Sequence, residues 1–132
     1  MARGPRAGIR GILLTDVVGS SELRSRLGDD RADELRRAHD ALLGSAVAAH
    51  GGEVLRWTGD GLKASYPTAS AAVASAIDMQ RAARRYSAQS DAVAALRLRV
   101  GISVGEVTFE DEDDHGVAVI EAARLEALAS PG

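Results

Sequence analysis

Two short runs of alternating apolar and polar residues, at 53–57 and 62–66, flank the segment Thr-Gly-Asp-Gly at 58–61. An Asp-Gly step between two alternating runs is a strong hairpin signal, because both central positions of the tight turn require positive φ. The pattern predicts an antiparallel β-hairpin with Asp60 at its tip. The fold must therefore contain an antiparallel sheet.

The rest of the chain alternates between strand-like and helix-like spacing of its apolar residues. Residues 9–16 are apolar on both alternating faces, which is typical of a strand covered on both sides. Ser20 can cap a helix. Further strands are predicted at 96–102 and 107–109, and helical periodicity is found at 30–50, 68–86 and 117–128. The predicted order, β, α, α, β, β, α, β, β, α, favours an α+β fold of the ferredoxin-like sandwich type, with a mainly antiparallel sheet and helices packed on one face.

Length and composition limit the remaining possibilities. The 132 residues fit one domain, which we expect to span 8–132 after a flexible lead-in at 1–7. Only 3% of the residues are aromatic, so the core must be built from Ala, Val, Leu and Ile. No apolar run approaches the roughly 18 residues that a membrane span needs, so we expect a cytoplasmic domain without a membrane partner. Arginines alternate with acids along the predicted helices, which is typical of a solvated surface and argues against a nucleic-acid partner.

Two aspartates lie where predicted strands end. Asp16 closes the run at 9–16 and precedes the small-residue segment 17–21, which opens onto a helix, where backbone amides and the helix dipole favour an anion. Asp60 lies at the predicted hairpin tip. If the fold brings the two together, their like charges favour a divalent cation, and oxygen ligands in a chain without Cys indicate Mg²⁺ or Mn²⁺. Each aspartate alone could instead be an ordinary strand-end cap or turn residue.

Four segments in order resemble the catalytic domain of the class III nucleotidyl cyclases, the adenylyl and guanylyl cyclases. They are LTDVVGSS at 14–21, GGEVLRWTGDGL at 51–62, RVGISVGEV at 99–107 and AARL at 122–125. The resemblance implies a homodimer with two active sites at the subunit interface. It also implies conversion of ATP to cyclic AMP and pyrophosphate with two Mg²⁺ or Mn²⁺ ions, for signal transduction.

The resemblance assigns the metal and phosphate ligands by motif. Asp16 and Asp60 would hold the metal ions, with the Val17 carbonyl as a further ligand. One ion would lower the pKa of the ribose 3′-hydroxyl and the other would hold the triphosphate while pyrophosphate leaves. Phosphate would also be bound by backbone amides of the loop after Asp16, those of Val18, Gly19, Ser20 and Ser21.

Two arginines match family positions that act on the triphosphate. Arg99 matches an arginine that contacts phosphate, and Arg124 matches the catalytic arginine that stabilises charge on the transferring α-phosphate from the opposite subunit. From the residue pattern alone, Arg99 could also be a solvated strand residue and Arg124 a surface ion-pair partner.

The base-reading positions are Arg56 and Asp113. An Asp can accept the adenine amino hydrogen. Adenylyl cyclases usually have Lys at the position of Arg56; Arg, like Lys, can only donate, which suits the adenine ring nitrogen, whereas guanine presents an N–H there and would want a carboxylate. ATP is therefore favoured over GTP.

Two further departures from the family pattern lower the expected activity. Ile120 stands where the family commonly has an Asn that orients the ribose, and an isoleucine cannot make those hydrogen bonds; its side chain suits a helix core. The domain at 8–132 is also expected to lack the C-terminal strands of the family, one of which carries a phosphate-binding Lys. We therefore expect weak turnover. The alternative is a catalytically degenerate module that binds nucleotide or dimerises and regulates a partner.

Overall fold

The structure, a computed structural model, describes residues 6–89, 96–110, 113–115 and 117–131. These ranges contain five strands and four helices: β1 (Arg6–Val17), α1 (Ser20–Leu27), α2 (Asp29–Ala49), β2 (Glu53–Trp57), β3 (Gly61–Tyr66), α3 (Ala69–Gln89), β4 (Leu98–Glu110), β5 (Asp113–His115) and α4 (Val117–Leu128). The order of elements is the predicted one, and the α+β fold is confirmed.

All neighbouring strands pair antiparallel, in the order β2-β3-β1-β4-β5. The predicted β2–β3 hairpin is present, and β1 lies at the centre of the sheet. The segment 107–109, predicted to continue the preceding strand beyond Gly105 and counted as the next one, belongs to β4, which runs without interruption to Glu110. The last strand, β5, comes instead from the acidic segment that follows.

Helices cover both faces of the sheet, so the prediction of helices on one face is wrong for α4. Leu13 of β1 packs in a large core with residues of α2 and α3, such as Leu43 and Met79. Its neighbour Ile12 points the other way and packs with Ala122 of α4. Gly101 of β4 allows this approach, since a Cβ there would lie 2.2 Å from the backbone nitrogen of Glu126. The last turn of α4 is therefore held directly against β4.

The turn between β2 and β3 differs from the predicted one. The Thr58 N–H donates to the Gly61 carbonyl at 2.9 Å, so Gly59 and Asp60 are the central residues. Neither Gly59 nor Gly61 has positive φ. Gly61 is needed for a different reason: a Cβ there would lie 1.8 Å from the Thr15 carbonyl oxygen of β1.

In the described ranges, none of the helices combines the length and the apolar character that crossing a bilayer requires.

Candidate active site

The end of β1 is joined to the tip of the β2–β3 hairpin. The Val17 N–H donates to the Asp60 carbonyl at 2.9 Å, and Asp16 lies opposite Gly61 in the register of β1 and β3. Asp16 and Asp60 thus stand at neighbouring strand ends, which is the proximity that the sequence analysis required. The bond to Val17 uses the backbone carbonyl of Asp60 and not its carboxylate.

A residue of α2 fixes this hairpin tip. Arg36 donates to the carbonyl oxygens of Gly59 and, at 2.8 Å, Thr58. Its Nε also donates to Asp40 at 3.1 Å, in the next turn of the same helix. The tip that carries Asp60 is therefore bonded both to β1 and to α2.

The loop after β1 leads directly into α1. Gly19 is the N-cap residue in the left-handed conformation, with φ of 69°, and within the described residues no side chain caps this helix. Ser20 is the first helical residue, so the prediction that it caps the helix is wrong. The Val18 N–H already donates to the Arg97 carbonyl at 2.8 Å, so this amide is not available to phosphate. The first-turn amides of Ser20 and Ser21 have no intrahelical acceptor, which is the arrangement that favours an anion at the start of a helix.

Arg99 of β4 holds the carboxylate of Asp16 with two hydrogen bonds. Asp16 and Arg99 are register partners on β1 and β4; Nε donates to Oδ1 at 2.9 Å and Nη2 to Oδ2 at 2.5 Å. Burial raises the pKa of Asp16, but hydrogen bonds with Arg99 and Glu126 and the Arg99 charge together bring this pKa below its ordinary value. Asp16 is thus an ionised, paired carboxylate in this structure.

Glu126, on the last turn of α4, is a member of this cluster that the sequence analysis missed. Its side chain is only 14% exposed, and its Oε1 lies 3.6 Å from Arg99 Nε, beyond hydrogen-bond distance. Oε1 has no hydrogen-bond partner among the described residues. Burial, the hydrogen bond to Asp16 and the charge of Asp16 raise the pKa of Glu126 to about 7. Gly101 was the available signal, because a glycine inside a strand often marks a close backbone approach.

The residues predicted to read the base and to act on the α-phosphate lie elsewhere. Arg56 is exposed on the edge strand β2, and Arg124 is exposed on α4. Within the described ranges, no hydrogen bond or ion pair joins Arg124 to Asp16 or Asp60. Ile120 is 54% exposed, so its interpretation as helix core is wrong. Asp113 lies in β5, and its side chain is outside the described residues.

The cluster has the chemistry that a divalent cation requires, although one chain supplies few ligands. The carboxyl groups of Asp16, Glu126 and Asp60 all act electrostatically on the Arg99 guanidinium. No three acidic or His side chains in the described part of the chain are arranged to hold an ion by themselves. Asp16 and Asp60 offer carboxylate oxygens, the ligand type that Mg²⁺ and Mn²⁺ prefer when water and substrate phosphates complete the coordination.

Known proteins share both the sequence and the fold. No family model matches the chain. The crystal structure of an adenylate/guanylate cyclase/hydrolase from Silicibacter pomeroyi is 32% identical with a TM-score of 0.83, and the match covers 97% of this chain and 74% of that one. A bacterial light-regulated adenylyl cyclase is 26% identical with a TM-score of 0.88, over 96% of this chain and 41% of that one.

A protein of Rhizobium meliloti (strain 1021) that carries a provisional name as an adenylate cyclase is 35% identical over 127 residues, which are 96% of this chain and 22% of that protein. The chain spans less than half the length of the curated relatives it matches. The match to the Silicibacter cyclase extends over nearly all of this chain, and two of the segments quoted above, 14–21 and 51–62, contain the joined strand ends and the loop after β1. The chain therefore belongs to the class III adenylyl/guanylyl cyclase family.

Proposed function

We propose that this chain is the catalytic domain of an adenylyl cyclase, which converts ATP to cyclic AMP and pyrophosphate as a homodimer with two Mg²⁺ or Mn²⁺ ions. The observation that carries the proposal is the junction of β1 and the β2–β3 hairpin, where Asp16 and Asp60 stand beside the uncapped start of α1. Carboxylates next to free helix amides suit a metal-bound triphosphate.

In this proposal the residues of one chain bind the triphosphate. Asp16 and Asp60 would hold the ions with the Val17 carbonyl, and the amides of Ser20 and Ser21 would bind phosphate oxygens. When bound, the ions supply a lowered pKa at the ribose 3′-hydroxyl and charge neutralisation on the phosphates. The 3′-oxygen would then attack the α-phosphorus. The bond between the α-phosphorus and the oxygen that bridges to the β-phosphate would break, and pyrophosphate would leave.

A second subunit would complete the site. The cleft beside the loop, lined by residues that include Val17, Ser20 and Asp60, has a volume of about 80 Å³. Small-molecule sites usually have volumes of about 300–1,000 Å³, so residues from another surface would have to enclose a nucleotide here. Ile120 and Leu128 of α4 are 54% and 83% exposed, which is apolar surface suited to a partner subunit. Arg124 lies on the same helix and would reach the α-phosphate of the partner's site.

The choice of ATP rests on the base-reading pair. Arg56 can only donate hydrogen bonds, which matches the unprotonated ring nitrogen of adenine and not the N–H of guanine. Asp113 would accept from the adenine amino group. The localisation that goes with this proposal is cytoplasmic.

The test is cyclic-nucleotide production by the purified chain with Mn²⁺ and either ATP or GTP. We expect cyclic AMP from ATP, and a loss of about 100-fold or more in Asp60→Asn, because a metal ligand is removed. Asp30→Asn, at an exposed acid in the first turn of α2, is the matched control and should retain the wild-type rate. Cyclic GMP as the main product would contradict the base assignment.

Ile120 favours a second candidate function, a degenerate module that binds nucleotide or dimerises without turnover. This alternative predicts that wild type and Asp60→Asn are equally silent while ATP still binds to the wild type.

A further inference from the structure

The guanidinium of Arg99 occupies both oxygens of the carboxylate that the proposed function assigns to the metal. Nε and Nη2 of Arg99 lie 2.9 Å and 2.5 Å from the two oxygens of Asp16. A cation at Asp16 must therefore compete with this bidentate pair, which is a strong type of hydrogen-bonded contact. A cation that takes the place of these two hydrogen bonds displaces the guanidinium.

Glu126 is placed to accept Arg99 after such a move. Its Oε1 is buried, has no hydrogen-bond partner in the described part of the chain, and lies 3.6 Å from Arg99 Nε. Arg99 Nη1 also donates to the Ala127 carbonyl at 3.3 Å, next to Glu126 on the same turn of α4. The guanidinium can thus keep its contact with α4 while it exchanges one carboxylate for the other.

The backbone position of Glu126 is held by packing that does not involve Arg99 or Asp16. The backbone of α4 lies against β4 at Gly101, where a Cβ would lie 2.2 Å from the Glu126 nitrogen. The part of α4 that carries the acceptor therefore does not depend on the pairing of Arg99 with Asp16. Without that acceptor, a displaced Arg99 would remain as an unpaired cation beside the incoming metal, which opposes binding.

We propose that Glu126 is a positioning residue for metal binding, which takes the guanidinium of Arg99 when a divalent cation takes Asp16. Arg99 then acts as an exchangeable plug, by which we mean a group that occupies the Asp16 oxygens until a cation displaces it. The inference rests on the proposed function, because it uses the metal role of Asp16. It concerns the nucleotide-free protein, so binding of the ion alone tests it.

The experiment measures the affinity for Mn²⁺ by electron paramagnetic resonance of the free ion, without nucleotide, in a double-mutant cycle. We expect Arg99→Gln to tighten Mn²⁺ binding and Glu126→Gln to weaken it by about tenfold, within the range of coupling between contacting residues. In the Arg99→Gln background, Glu126→Gln should have less than about a twofold effect. Equal effects of Glu126→Gln in both backgrounds would mean that Glu126 acts only through its own charge, and would overturn the proposal.

Arg99→Lys separates the bidentate contact from the charge and also serves if Arg99→Gln does not fold. Lys keeps the positive charge but cannot form the paired hydrogen bonds. A plug predicts tighter Mn²⁺ binding in Arg99→Lys than in wild type, whereas a purely electrostatic role predicts no change and contradicts the inference.

Asp16→Asn distinguishes this proposal from the proposed function. If Asp16→Asn binds Mn²⁺ as tightly as wild type, the metal assignment of the proposed function fails. If Asp16→Asn loses Mn²⁺ while the effects at Arg99 and Glu126 are simply additive, the metal site stands and only the plug fails.

Discussion

The two halves of the candidate active site are built in different ways. The metal and phosphate half is formed inside one chain, where Asp16 lies between Gly61 and Arg99 in the sheet register and Val17 is bonded to Asp60. The other half, Arg56 and the outer face of α4, is exposed. The comparison teaches that strand pairing alone can bring charged groups together, whereas the proposed recognition of base and ribose would depend on a second surface.

The largest expected effect is the loss of stability when a substitution forces apart the strands of the metal half. In Gly61→Ala the new Cβ would lie 1.8 Å from the Thr15 carbonyl oxygen, so β3 must move away from β1. We expect a loss of about 3 kcal/mol or more in the free energy of unfolding, at the upper end for overpacking. Urea denaturation of the purified protein measures this loss.

Gly59→Ala is the matched control, two residues away in the same turn. No described atom lies within 4 Å of a Cβ at Gly59, and its φ is not positive. The change in stability should stay within about 0.5 kcal/mol, as for an ordinary surface substitution. Equal losses in the two variants would show that the turn, and not the contact with β1, makes Gly61 necessary.

The sequence predicts the metal half because its geometry follows from local patterns. The alternation of apolar and polar residues at 53–57 and 62–66 predicts the hairpin. The predicted strand that ends at Asp16 pairs with the second strand of that hairpin. The reason for Gly61 was nevertheless predicted wrongly, because a contact between β1 and β3 cannot be read from the turn alone. The same holds for Val18, whose amide is used by the Arg97 carbonyl from a distant segment.

The periodicity of α4 does not predict the place of Glu126, because that place depends on which face of the helix is buried. This helix has apolar residues on several sides: Leu125 and Leu128 are 48% and 83% exposed, while the small Ala122 is fully buried. Periodicity therefore does not identify the face that meets the sheet. The contact at Gly101 decides it, and brings Glu126 over Asp16.

The effect of intermediate size is the pH dependence of the stability that the metal half contributes. The pKa of Glu126 is raised from 4.5 to about 7 in the folded protein, so the folded state binds more protons than the unfolded state between these values. The stability from Glu126 is complete below about pH 4.5 and is lost as the pH rises to about 7. Asp16 acts oppositely, because its pKa is lowered: its stability is present above its unfolded pKa of 3.8 and is lost as the pH falls below that value.

Thermal unfolding of the metal-free protein across this pH range provides the measurement. We expect the melting temperature of wild type to decrease between about pH 4.5 and pH 7, and the decrease to be much smaller in Glu126→Gln. Glu121→Gln, on the same helix, is the matched control and should keep the wild-type slope. A wild-type slope in Glu126→Gln would place the titrating group elsewhere.

The smallest expected effect concerns the exposed half of the site, on the outer face of α4. Ile120 is 54% exposed on α4, so Ile120→Asn removes little packing and supplies the hydrogen-bonding groups that could orient a ribose. Under the proposed cyclase function we expect turnover to rise by about three- to tenfold, the value of one or two modest hydrogen bonds. Ile77→Asn, at a comparably exposed isoleucine on α3, should leave the rate unchanged. An unchanged or lower rate in Ile120→Asn would mean that this position does not face the ribose, and that recognition on the exposed side depends on other residues.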